Sequence, residues 1–69
     1  MYLLLTQTYD ATGTLFSQEE RTYENGKLTR ILQTEYYYDK TYTVTVMDGN
    51  YKILSITTYD ANGKVISNS

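Results

Sequence analysis

Five turn signals divide this chain: Asp10-Ala11-Thr12-Gly13, Glu24-Asn25-Gly26-Lys27, Asp39-Lys40-Thr41, Asp48-Gly49-Asn50 and Asp60-Ala61-Asn62-Gly63. Between them helical periodicity is poor, and β-branched and aromatic residues dominate every stretch. Twelve threonines, nine tyrosines and no proline make a β-sheet composition. Five turns imply six strands, near 2–9, 14–24, 27–38, 42–47, 50–59 and 64–67. The fold class expected is all-β, an antiparallel meander of hairpins forming one domain over residues 1–69.

The turn types follow from the residues. Asn25-Gly26 and Asp48-Gly49 suit two-residue type I′ turns, in which both central residues take positive φ. The two Asp-Ala-x-Gly turns suit a type I turn closed by a glycine bulge, with Gly13 and Gly63 in the left-handed position. Asp39-Lys40-Thr41 has no glycine and reads as a three-residue loop.

Loop length fixes register, and a slip of one residue moves every side chain to the other face. The expected pairs are Tyr9 with Leu15, Tyr23 with Leu28, Tyr59 with Val65, Tyr38 with Tyr42, Tyr36 with Val44, Val46 with Tyr51 and Val44 with Ile53. One face then collects Leu3, Leu5, Tyr9, Leu15, Tyr23, Leu28, Leu32, Tyr36, Tyr38, Tyr42, Val44, Val46, Tyr51, Ile53, Tyr59 and Val65. Seven of the nine tyrosines fall on it. The other face is mostly polar in its first half but carries Phe16, Ile31, Tyr37, Leu54, Ile56 and Ile66. This register also sets Arg21 against Arg30, a like-charge pair that Glu19 offsets from a diagonal position.

Nothing in 69 residues is left over to cover that apolar face. A chain this short buries only about 60% of its unfolded surface, so its core is marginal without a supplement. No cysteine is present to supply a disulfide. The single sheet is therefore expected either to curl into a small barrel or to stack against a second copy. Tyrosine hydroxyls seek water or a partner, which favours stacking in a homodimer or higher oligomer. The residues expected to carry the contact are Tyr36, Tyr38, Tyr42, Val44, Tyr51, Ile53 and Tyr59.

The turns also carry an internal match. Residues 8–17 (Thr-Tyr-Asp-Ala-Thr-Gly-Thr-Leu-Phe-Ser) align with 58–67 (Thr-Tyr-Asp-Ala-Asn-Gly-Lys-Val-Ile-Ser) at six identical positions of ten. A shorter copy, Thr22-Tyr23-Glu24-Asn25-Gly26-Lys27-Leu28, lies between them, as expected of a repeating hairpin unit. The Tyr-Asp-Ala-x-Gly-x-aliphatic pattern resembles the tyrosine–aspartate repeat of RHS-type proteins. Residues 22–28 also resemble the hairpin repeats of YwqK-type antitoxin proteins, which are related to MORN repeats. The resemblance covers about half the chain. It implies stacked hairpins, and the YwqK likeness implies an inhibitory partner-binding role.

Catalytic chemistry has few carriers here. Histidine and cysteine are both absent, which removes the usual base and nucleophile of triad chemistry and the commonest metal ligands. Glu19 and Glu20 are neighbours, but on a strand they point to opposite faces. Asp10, Asp39, Asp48 and Asp60 sit at turns, where aspartate serves its own backbone. No cofactor, metal site or enzymatic activity is expected. Six basic against eight acidic residues argue against nucleic acid. No run approaches the ~20 apolar residues of a membrane span or the apolar stretch of a signal peptide, so no membrane partner is expected and the location defaults to the cytoplasm. The function expected is a non-enzymatic structural or interaction module that associates with itself through its tyrosine-rich face. The alternative is a small inhibitor or immunity-type protein, antitoxin-like or a phage anti-defence protein, that binds another protein.

Overall fold

The computed structural model describes residues 1–69. Six strands form one antiparallel sheet in chain order: β1 (Tyr2–Tyr9), β2 (Leu15–Glu24), β3 (Lys27–Tyr36), β4 (Tyr42–Asp48), β5 (Ile53–Tyr59) and β6 (Val65–Asn68). Its extents of 39 × 30 × 16 Å are those of an open slab. β1 and β6 are its two free edges, so of the two arrangements expected, the closed barrel does not form. A meander whose strands each pair only with sequence neighbours needs only short hairpin connections, and here nothing returns β6 to β1.

Four of the five turns share one hydrogen-bond pattern. Asp10 N–H donates to the Thr14 carbonyl at 2.9 Å and Gly13 N–H to the Asp10 carbonyl at 3.0 Å. The same two bonds join Asp60 with Lys64 and Gly63, Asp48 with Lys52 and Tyr51, and Tyr37 with Thr41 and Lys40. Each loop thus has three residues, the last in the left-handed region: Gly13 at φ 86°, Gly63 at 84°, Lys40 at 74° and Tyr51 at 67°. The remaining turn, Asn25-Gly26, takes positive φ at both residues, 54° and 76°, as a two-residue type I′ turn requires.

Two turns depart from the expected form. The β4–β5 connection is not a two-residue Asp48-Gly49 turn, because Asp48 opens it as Asp10 and Asp60 open theirs. Its Oδ1 accepts the amides of Asn50 and Lys52 at 2.8 and 3.0 Å. Asp10 likewise accepts those of Thr12 and Thr14, and Asp60 those of Asn62 and Lys64. In the β3–β4 turn, Asp39 instead lies inside the loop and accepts the Thr41 amide at 3.0 Å. Tyr37 and Tyr38 are thereby drawn into the turn and its first flanking pair becomes Tyr36 with Tyr42.

Register shifts complete the correction. They fall just past the turn in four of the five hairpins, and the extra residue is on the second strand: Phe16, Thr29, Leu54 and Ile66. Two residues on one strand oppose one on the other, so every position beyond is displaced by one. Tyr9–Leu15, Tyr23–Leu28 and Tyr59–Val65 pair as expected. Past Thr29, however, Arg21 meets Ile31 and Thr22 meets Arg30, so the like-charge Arg21–Arg30 pair does not form. Past Leu54, Val46 meets Ser55 and Met47 meets Ile53.

Side chains alternate along each strand, so the register assigns the faces. The first face carries Leu3, Leu5, Tyr9, Leu15, Leu32, Tyr36, Tyr42, Val44, Val46, Tyr59 and Val65. Tyr23, Leu28 and Ile53 belong to the second face, with Tyr2, Leu4, Arg21, Ile31 and Met47. The single apolar face expected from the sequence is thus two half-faces. Only Ile31 (0% exposed) and Met47 (9%) are buried, and both lie on the second face.

Candidate interaction surfaces

On the first face an apolar row crosses the whole sheet at the end formed by the β1–β2, β3–β4 and β5–β6 turns. Its members, in strand order, are Tyr9, Leu15, Tyr36, Tyr42, Tyr59 and Val65. The row forms because every hairpin at this end places its first flanking pair on the same side. Its centre is a tyrosine ladder. The Tyr36 and Tyr42 rings lie 5.8 Å apart at 41°, and the Tyr42 and Tyr59 rings 4.9 Å apart at 19°. Ring offsets of this size give about 0.5–1.5 kcal/mol per pair beyond area burial. Tyr9, Tyr36 and Val65 remain exposed at both sides of the ladder.

The next row inward is polar. Gln7, Gln18, Thr34, Thr57 and Asn68 cross the same face, with Val44 the one apolar member. The Gln7 amide bonds Gln18 at 3.0 Å, and the Tyr9 hydroxyl donates to Gln7 at 3.1 Å. The aromatic row therefore has a hydrogen-bonding border, as interface cores have polar rims. Beside the row, Asp10, Leu15, Phe16, Tyr36, Tyr38 and Lys40 line a groove of about 670 Å³ between the β1–β2 and β3–β4 turns.

The second face is organised at the opposite end, near the Asn25-Gly26 turn and the β4–β5 turn. Ile31 sits between Arg21 and Met47 in the ladder, with Leu4 and Ile53 continuing the row outward. Tyr2 and Tyr23 stack beside it at 4.8 Å and 12°. The Arg21 guanidinium lies 6.0 Å from the Tyr51 ring and pairs with Glu19 at 2.8 Å, while Gln33 donates to Glu19 at 3.0 Å. Gln33 first and then Arg21 hold the Glu19 carboxyl below its usual range, and Glu19 in turn raises Arg21. This network lines the side of the only deeply covered part of the molecule.

The β4–β5 turn leans onto β3 at this end. A side chain on Gly49 would overlap the Leu28 carbonyl oxygen and approach the Thr29 Cα at 3.4 Å. Glycine is needed there for close backbone approach, not for positive φ, which falls at Tyr51 instead.

The seven expected contact residues therefore separate. Tyr36, Tyr42, Val44 and Tyr59 share the first face, and Tyr36, Tyr42 and Tyr59 touch in one ladder. Ile53 lies on the second face and Tyr51 over Arg21 there. Tyr38 stands at a turn tip, 94% exposed, opposite nothing. Tyr9, Leu15 and Val65 join the row, though the sequence reading placed them only on the face. A signal for the displaced pair was present. Residues 47–55 (Met-Asp-Gly-Asn-Tyr-Lys-Ile-Leu-Ser) match 59–67 (Tyr-Asp-Ala-Asn-Gly-Lys-Val-Ile-Ser) once Tyr51 is set on Gly63.

The carboxylates serve the turns. The Thr12 hydroxyl and the Thr14 amide hold Asp10 below the usual carboxylate range, and the Thr41 hydroxyl and amide do the same for Asp39. No group of three potential metal ligands gathers, and no helix is long and apolar enough to cross a membrane. Comparison with protein-family models, with curated proteins and with solved structures finds no match to this chain.

Proposed function

We propose that this chain is a non-catalytic module that associates with itself by stacking the tyrosine-row faces of two copies. Surface area carries the reading. A folded monomer of 8.0 kDa exposes about 4450 Å² by the usual size scaling. This chain exposes 5086 Å². The excess, about 600 Å², is close to the ~800 Å² per partner that a standard interface buries. The row of Tyr9, Leu15, Tyr36, Tyr42, Tyr59 and Val65 is apolar, mostly aromatic and bordered by glutamine and threonine, which suits a semi-polar contact between sheets about 10 Å apart. The Asp-opened turn recurs at Asp10, Asp48 and Asp60, twice as Tyr-Asp-Ala-x-Gly, which supports reading the hairpins as repeats of the RHS or YwqK/MORN kind. The engagement of Asp10, Asp39, Asp48 and Asp60 in their own turns supports the absence of catalysis.

Light scattering coupled to gel filtration tests it. The wild type is expected at a multiple of 8.0 kDa. Tyr42→Glu should halve the mass or more with the far-ultraviolet β spectrum retained, while Tyr51→Ala, on the other face, leaves mass unchanged. A monomeric wild type at 100 µM, or a mass unmoved by Tyr42→Glu, overturns the proposal.

A further inference from the structure

β1 differs from every other strand in what it leaves unpaired. All eight of its residues, Tyr-Leu-Leu-Leu-Thr-Gln-Thr-Tyr, are exposed. It contains no charge and no proline, and the register shifts place their extra residues on β2, β3, β5 and β6, never on β1. Those are the devices by which edge strands are normally blunted. β6, the other edge, has only four residues.

The direction of the free backbone groups can be read from the adjoining turn. Asp10 N–H points inward to Thr14. Backbone groups alternate along an antiparallel strand, so those of Thr8, Thr6 and Leu4 also point toward β2. Those of Tyr9, Gln7, Leu5 and Leu3 point away from the sheet with no partner in the chain.

We infer that β1 is a strand-addition site whose occupant is β1 of a second copy, antiparallel about a two-fold axis at Thr6. This contact is distinct from the stacked faces and does not depend on them. The two-fold register through Thr6 uses all four outward residues. Leu3 meets the second copy's Tyr9 and Leu5 meets its Gln7, so eight main-chain hydrogen bonds form, and the two sheets join into one of twelve strands. A two-fold axis through Leu5 leaves Tyr9 unmatched and gives six bonds. Pairing with β6 satisfies at most four residues. Absence of charge matters at such a seam, because the contact is isologous: a charge on β1 would enter it twice, and near the axis at Thr6 the two like charges would repel. It also covers flanks of Tyr2, Leu3, Leu4 and Leu5, which are 48–57% exposed on both faces.

Residue-resolved amide exchange provides the test. From dilute to concentrated protein, the amides of Leu3, Leu5, Gln7 and Tyr9 should slow at least tenfold together, while those of Leu4, Thr6 and Thr8 are slow throughout. Leu5→Pro removes one outward N–H and no bond to β2, so it should abolish protection at Leu3, Gln7 and Tyr9 with the β spectrum kept. N-methyl-Leu5, made by synthesis, does the same with the side chain retained if the proline variant fails to fold. Tyr42→Glu should leave the four-amide protection in place, which separates this contact from the stacked faces. Four amides that exchange freely at the highest concentration, or protection that vanishes with Tyr42→Glu, overturn the inference.

Discussion

The two apolar regions of this sheet have similar residues and opposite fates. At one end of the second face, Ile31 and Met47 are buried beside a turn that leans onto β3 and a Tyr51–Arg21–Glu19–Gln33 chain of contacts. At the other end of the first face, six apolar side chains line up across the strands, and none of them is buried. The difference lies in one glycine and one aspartate. Asp48 sets a three-residue loop, and Gly49 lets that loop approach the Leu28 carbonyl, which brings Tyr51 over Arg21. At the β1–β2 turn a side chain on Gly13 would meet open space, and at the β5–β6 turn one on Gly63 would meet only the Tyr42 hydroxyl at 3.6 Å. In this single-layer sheet the buried residues lie beside the one turn that leans onto a neighbouring strand, although both regions are apolar.

The largest effect expected follows from that tilt. Gly49→Ala forces the β4–β5 turn away from β3, and should cost about 3 kcal/mol, of the order of overpacking a core. In urea denaturation its midpoint should fall well below that of Gly13→Ala, where a side chain meets open space and only the left-handed backbone resists. Equal losses in the two variants would show that the leaning turn carries no packing energy.

Ile31→Ala sharpens the comparison next. Fully covered isoleucines lose about 2–5 kcal/mol on truncation. Val44→Ala, half-buried in the first face, should cost about 1 kcal/mol in dilute protein. That cost should grow with protein concentration if the first face is covered by a second copy, because ligation by a partner raises apparent stability. The Ile31→Ala cost should not vary with concentration.

A smaller effect is expected from acid. Asp10 and Asp39 at the tyrosine-row end and Glu19 beside the covered end all have folded-state pKa values below their unfolded ones. A depressed carboxylate stabilises the fold above the unfolded value, about pH 4, and that contribution is lost as pH falls through the folded value. The urea midpoint should thus hold from pH 7 to about 4.5 and decline below. Asp10→Asn and Asp39→Asn should each flatten the acid limb while lowering the neutral plateau. An acid limb unchanged in Asp10→Asn, Asp39→Asn and Glu19→Gln would remove these turns and the Glu19 network from the account of pH stability.

Much of this fold is legible in the order of its residues. Asn25-Gly26, Gly13 and Gly63 announce their turns because only glycine or asparagine takes positive φ cheaply. The flanking pairs Tyr9–Leu15, Tyr23–Leu28 and Tyr59–Val65 follow from those loop lengths. Tyr51 and Lys40 defeated the same reasoning, since each holds a left-handed position with a residue that gives no sign of it. The tyrosine row was half visible. Tyr36, Tyr42 and Tyr59 could be assigned to one face, but their contact depended on drawing Tyr37 and Tyr38 into the turn.

Residue order alone dictates a six-stranded meander with alternating faces and too few residues for a second layer. The tertiary structure decided which face each distal residue occupies. An extra residue at Phe16, Thr29, Leu54 or Ile66 inverts the pattern beyond it, and no local propensity marks where a strand will take one. It also decided that the sheet stays open. Closure depends on whether β1 and β6 meet, which is set by accumulated twist and tilt over six strands and not by any single residue.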